Sequence, residues 1–158
     1  MKHVLKVTAV GDREVVMTRV LDAPIHMVWD AFTKPELLTR WLGVQGGWTW
    51  AVCEMDLRVG GTYRWVWRGP DGAEMGMGGV YKEIDPPHKL VSTERFDQAW
   101  YPGEAVGTVA LTEAGGKTTV THTVRYDTKE ARDAVLQSPM EQGVAASYNR
   151  LEEILRAS

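Results

Sequence analysis

The chain has 158 residues, 44% of them hydrophobic and 25% charged, the balance of one soluble globular domain, residues 1–158, with a sizeable core. A net charge of -3 and a pI near 5.8 leave no basic excess, so neither nucleic acid nor an anionic membrane surface is an expected partner. No apolar run reaches the roughly 18–20 residues that cross a bilayer, and the opening MKHVLKVTAVGDREVV lacks a signal-peptide core, so the expectation is a cytoplasmic protein without membrane insertion.

In chain order, VLKVTAVGDREVVMTRVL alternates and breaks at Gly11-Asp12, which predicts a hairpin or a strand with an irregular start. Asp22 as a cap, Pro24 in a first turn, and Ile25, Val28, Trp29 and Phe32 at helical spacing predict a helix. Thr33-x-x-Glu36 around Pro35 has the pattern of a capping box for a second short helix through Leu38, Trp41 and Leu42, ended by Gly43. From Trp48 to Tyr126 the turn signals VGG, GPDG, DPP, YPGE and EAGGK cut the chain into successive strands, an antiparallel meander. Asp127-x-x-Glu130 can open a short helix. Ser138-x-x-Glu141 with Pro139 can open a longer one carrying Met140, Val144, Tyr148, Leu151 and Leu155.

This order is an α+β arrangement. A long sheet needs an apolar partner on its inner face, and the only long amphipathic helix is the last, so the sheet is expected to wrap around it. A strongly curved sheet grips a straight helix closely at one end only, which opens a space at the other. Tyr63, Trp65 and Trp67 alternate with Arg64, Val66 and Arg68; the arginines belong in water, so the rings are expected to face that space. Trp48 and Trp50, and Met75 and Met77, alternate in the same way, and with Met140, Val144 and Tyr148 of the last helix they complete the candidate cavity lining. Taken singly, such side chains are most often plain core; the set of them points to a shaped pocket.

His122 in TVTHTVRY alternates with Val120, Val124 and Tyr126. On an inward face it is the candidate acid or base of the cavity; otherwise it is a core histidine bonded to a neighbour. His3, His26 and His88 look like surface residues. Glu83 and Glu94 flank the DPP turn, where either is expected to form a surface ion pair with Arg64 or Arg95; the alternative is an acid in a cyclase-like or lyase-like pocket. One Cys and four scattered His offer no ligand spacing, so no metal is expected. Cys53, alone on a strand, cannot form an internal disulfide and has nothing beside it to activate a nucleophile. MGMGGV lacks the helix start and Lys of a phosphate loop; it suggests a bulge or a close approach, and no cofactor is expected.

The motifs TRVLDAPIHMVWDAFTKPELLTRWLG, DLRVGGTYRWVWRGPDG, GVYKEIDPPHKLVSTERF, TVALTEAGGKTTVTHTVRY and MEQGVAASYNRLEEIL, running from Thr18 onward, resemble the bacterial Hsp90-ATPase-activator-homologue-like family. That family lies within the START/Bet v 1-like (SRPBCC) helix-grip superfamily. The resemblance implies a curved antiparallel sheet around a C-terminal helix, enclosing a cavity that holds an apolar ligand in many relatives. Superfamily members include carriers, receptors, cyclases and aromatases, so the fold does not choose the chemistry. The eukaryotic activator engages its chaperone through a separate N-terminal domain for which this chain has no room, so chaperone activation is not expected. Two functions remain: a binder of a small apolar or aromatic ligand, which the rings favour, and a cyclase, dehydratase or lyase in which His122 or a buried carboxylate moves protons. The sequence leaves open a homodimer.

Overall fold

The computed structural model describes residues 3–98 and 103–157. Strands β1 (Lys6–Val10) and β2 (Glu14–Leu21) form a hairpin turned at Gly11 and Asp12. β2 buries Val15, Met17, Arg19 and Leu21 and leaves the residues between them half-exposed, the period of two imposed by one covered face. Helices α1 (Ile25–Thr33) and α2 (Pro35–Leu38) follow, then a 3-10 turn at Gln45–Gly47. The meander comprises β3 (Thr49–Met55), β4 (Thr62–Arg68), β5 (Glu74–Asp85), β6 (Lys89–Phe96), β7 (Ala105–Ala114) and β8 (Lys117–Arg125), and it leads to α3 (Lys129–Gln137) and α4 (Met140–Arg156). Of the YPGE turn signal between β6 and β7, Tyr101 and Pro102 lie outside the described residues.

All neighbouring strands are antiparallel, in the order β1-β2-β8-β7-β6-β5-β4-β3. The opening hairpin therefore docks on the last strand. Register shifts between Trp50 and Val52 and between Tyr81 and Glu83 bend the sheet on its β3 side. The MGMGGV segment is such a close approach: a Cβ at Gly79 would overlap the Thr93 carbonyl, and one at Gly78 would lie 2.7 Å from the Tyr63 oxygen.

The helices begin differently from the capping patterns. Asp22 turns to His3 at 3.0 Å and to Lys117 and Arg156 at 3.6 Å, and its place at α1 is taken by Glu113 of β7, which accepts from the Ile25 N–H at 2.6 Å. Pro24 immediately precedes α1 instead of sitting inside its first turn. The Thr33 hydroxyl donates to the Trp29 carbonyl, so no capping box opens α2. Asp127 accepts from the Glu104 N–H, and Thr128 caps α3 by accepting from the Ala131 N–H. Ser138 donates back to the Val135 carbonyl, and α4 starts after Pro139 without a side-chain cap. In each case the short polar side chain found another partner, one that spacing along the chain does not specify.

α4 fills the concave face of the sheet. Tyr148, Leu151 and Leu155 are buried in the main core with Leu21, Leu38, Trp41, Tyr81, Leu111 and Val120, while Val15, Met17, Ala105, Val124 and Tyr126 form a smaller core with Ala131 and Val135 of α3. Polar contacts between helix and sheet also reach into this packing. Arg19 of β2, 1% exposed, donates to the Glu152 carboxylate and, at 2.8 Å, to Asn149 Oδ1, which ties the C-terminal half of α4 to the sheet. Replacing Arg19 by Met leaves the buried Glu152 with only the exposed Arg156, 3.5 Å away, to offset its charge, and equilibrium denaturation should show a loss of up to about 3–5 kcal/mol. The double variant Arg19→Met with Glu152→Leu should recover much of that loss. A double variant as unstable as the single one would show that the ion pair itself, and not the stranded charge, matters.

Candidate functional site

Because Leu151, Glu152 and Leu155 pack tightly, the space expected at the other end of α4 lies beside Met140, Gly143, Val144, Ser147 and Tyr148. There a cavity of about 340 Å³ separates the helix from the sheet. It falls at the small end of the usual range for ligand pockets. β4 contributes Tyr63, Trp65 and Trp67, β5 contributes Met75, Met77 and Tyr81, and β8 contributes His122 and Val124. Met75 is 41% exposed and stands at the rim, whereas Met77 is buried.

Trp48 and Trp50 are not part of the lining. The indole N–H of Trp50 donates to the Leu42 carbonyl at 2.9 Å, and Trp67 donates to the same oxygen at 3.1 Å, so the Trp50 ring backs the wall against Trp65 and Trp67 without reaching the space. Trp48 precedes β3 and stacks over Gly69, where an added Cβ would meet its ring at 3.0 Å. Alternation correctly pairs these rings along the chain, but the register shift after Trp50 and the Leu42 carbonyl decide where they point.

The loop holding that carbonyl forms the rim. Gly43, at φ +73°, has both a left-handed backbone and the Trp67 Nε1 only 2.6 Å from where a Cβ would stand, so no other residue fits. Its N–H donates to Ser147 Oγ at 3.0 Å, and Gln45 donates to the Gly143 carbonyl at 3.2 Å, which bridges the loop to α4.

The polar groups of this apolar space are few. The Tyr63 hydroxyl donates to the Thr93 carbonyl at 2.7 Å. Among the described residues the buried Trp65 indole N–H and Tyr81 hydroxyl have no hydrogen-bond partner, each at a cost of about 1–3 kcal/mol. Burial, and then the neighbouring Cys53 and Asp56, push the Tyr81 phenol well above its ordinary value, and burial does the same for Tyr148, so both are neutral acids. Burial also raises the Cys53 thiol, the opposite of what a nucleophile needs.

Glu94 is the residue that sequence reasoning misplaced. It forms no pair with Arg64 or Arg95; Arg64 is held by Asp97 at 2.6 Å, and Glu83 pairs with Lys89 at 3.2 Å. Glu94 instead lines the cavity, 17% exposed, with its carboxylate 3.6 Å from Nε2 of His122. The signal was present: Leu90, Ser92, Glu94 and Phe96 alternate on β6, and two apolar ends mark that face as the inner one. Glu94 and His122 stand on β6 and β8 and meet above Gly107 of the intervening β7, where a Cβ would overlap the carboxylate and lie 3.3 Å from the imidazole nitrogen.

Among the described residues, one group could offer three metal-ligating atoms: His3, Asp22 and Glu152. Its carboxylates already face Arg19, Lys117 and Arg156, so the group reads as an ion-pair network.

A curved antiparallel sheet gripping a long helix around an apolar cavity defines the helix-grip class of proteins. Residues 22–156 match the family described as Activator of Hsp90 ATPase homolog 1-like protein, and the chain belongs to that family. A crystal structure of a Rhodobacter sphaeroides protein is 31% identical over 98% of this chain and 99% of its own, with a TM-score of 0.91. A Nitrosomonas europaea protein, 23% identical over 94% and 97% of the two chains, superposes with a TM-score of 0.81. An AHSA1-like protein from Aeromonas hydrophila, 20% identical over 88% and 93%, gives 0.69. No curated protein matches the chain. No helix among the described residues is long and apolar enough to cross a membrane.

Gly143 borders the cavity in the second turn of α4, and an added Cβ would meet only Gln45 Nε2, at an ordinary 3.5 Å. Gly143→Ala should therefore raise stability by about 0.5–1 kcal/mol, the helix-propensity gain, in thermal or denaturant unfolding. If the glycine keeps space for a ligand, the same variant should bind an apolar probe more weakly.

Proposed function

We propose that the protein binds one small apolar or aromatic molecule in the space between β4–β8 and the N-terminal half of α4. The observation that carries this reading is the cavity itself, walled by Tyr63, Trp65, Trp67, Met77 and Tyr148 and left open where the helix departs from the sheet. Flat rings and adaptable thioethers suit an apolar guest. Recovery of a ligand by organic extraction, after native mass spectrometry shows a bound mass, tests the reading directly.

A second reading is favoured by one observation, the Glu94–His122 pair facing the same space. A carboxylate and an imidazole can pass a proton to or from a bound substrate, as a cyclase, dehydratase or lyase requires. Extraction separates the two readings, because a binder returns its ligand unchanged and an enzyme returns a product after incubation.

Trp65→Ala distinguishes ligand wall from plain core. Truncating a large aromatic in solid core costs about 3–5 kcal/mol. At a cavity wall the loss should be smaller, and titration with an apolar fluorescent probe should show a clear change in affinity. A full core-sized loss of stability with unchanged probe binding would defeat the assignment.

A further inference from the structure

We infer that Glu94 and His122 form a hydroxyl-recognition site, so that the preferred ligand has a flat apolar body and one hydroxyl group, as in a phenol or a cyclic alcohol. The inference rests on the binding role proposed above and adds the chemistry of one end of the ligand.

Three observations carry it. First, neither group has a hydrogen-bond partner among the described residues, and the 3.6 Å between Glu94 Oε2 and His122 Nε2 is too long for a hydrogen bond. Both groups are partly open to the cavity, and a guest that fills it takes water away from them, so a guest that donates to the carboxylate offsets a desolvation cost that other guests leave uncompensated. Second, the spacing suits a single inserted oxygen. An oxygen about 2.8 Å from each of two atoms closes a triangle on a base of this length. The hydroxyl then donates to the carboxylate and accepts from the imidazole N–H, using both of its capacities. An ether oxygen can only accept, and a hydrocarbon does neither. Third, the glycine beneath the pair keeps the receptacle open: any side chain at Gly107 would displace Glu94 from the wall. Around the pair the wall is apolar, with Val109 opposite His122 and Val124 opposite Gly107 in the ladder, so a guest's body and its hydroxyl meet distinct surfaces.

The test uses two probes of nearly equal shape, 2-naphthol and 2-methoxynaphthalene, titrated by calorimetry into the full chain. The wild type should bind 2-naphthol at least about tenfold more tightly, the worth of one hydrogen bond to a charged acceptor. Glu94→Met removes the acceptor at similar volume, and Gly107→Ala displaces it; each, after a cooperative melt confirms folding, should bring the ratio below about threefold while 2-methoxynaphthalene still binds. Equal affinities in the wild type, or a preference that survives both substitutions, overturn the hydroxyl site and leave the cavity role standing. If neither probe binds the wild type, the cavity role falls and the hydroxyl site with it.

Discussion

The whole molecule depends on how a straight helix meets a curved sheet. α4 has 17 residues and is therefore about 25 Å long, while the strands it faces bend away at two register shifts and at the glycines of β5. A rigid rod and a bent surface touch along only part of the rod. Here the touching part is the C-terminal half, where Leu151 is fully buried and Arg19 reaches across to Glu152 and Asn149. A buried ion pair is a poor source of net stability, but it penalises any sliding of the helix that would separate the charges. With that end held, the gap must open at the other end, beside Gly143 and Val144.

The gap explains the aromatic content of β4. Short side chains on a receding wall would leave a larger void, and voids cost stability in proportion to their size. Tyr63, Trp65 and Trp67 carry apolar surface outward from the strand, support one another at ring separations of 4.6 and 6.1 Å, and leave a space with a defined shape. Their polar tips are treated unequally. Tyr63 and Trp67 spend theirs on backbone carbonyls, which fixes the rings, whereas the Trp65 N–H is buried within the wall with no partner among the described residues. A wall whose rings are pinned at both ends holds the shape of the space fixed, so guests are selected by fit.

Much of this architecture could be read from residue patterns, and the failures share one cause. The strands of the meander, the two tandem helices and the wrapping of the sheet about α4 follow from alternation, helical spacing and turn residues, which are local properties. The facing of Tyr63, Trp65 and Trp67 followed from the arginines between them. The caps did not follow, because Asp22, Thr33, Asp127 and Ser138 each had another acceptor or donor, two of them on segments remote in the chain. Arg19 had no signature either: a buried arginine looks like any strand residue until Glu152, 133 positions away, is brought beside it. The same holds for Glu94, whose alternation with Leu90 and Phe96 was outweighed by the general expectation that carboxylates on strands face water.

Glu94 also shows how a widely shared fold acquires chemistry at one point. The sheet and helix create an apolar space without regard to what fills it, and relatives with quite different side chains can build the same shell. A carboxylate enters such a space only if the backbone beneath it yields room, and here the room comes from the missing side chain of Gly107 on the strand between Glu94 and His122. The pair is thus not produced by either polar residue alone. It needs an inward position on β6, another on β8, and nothing between them on β7, three conditions that antiparallel register brings together and that no single segment of the sequence contains.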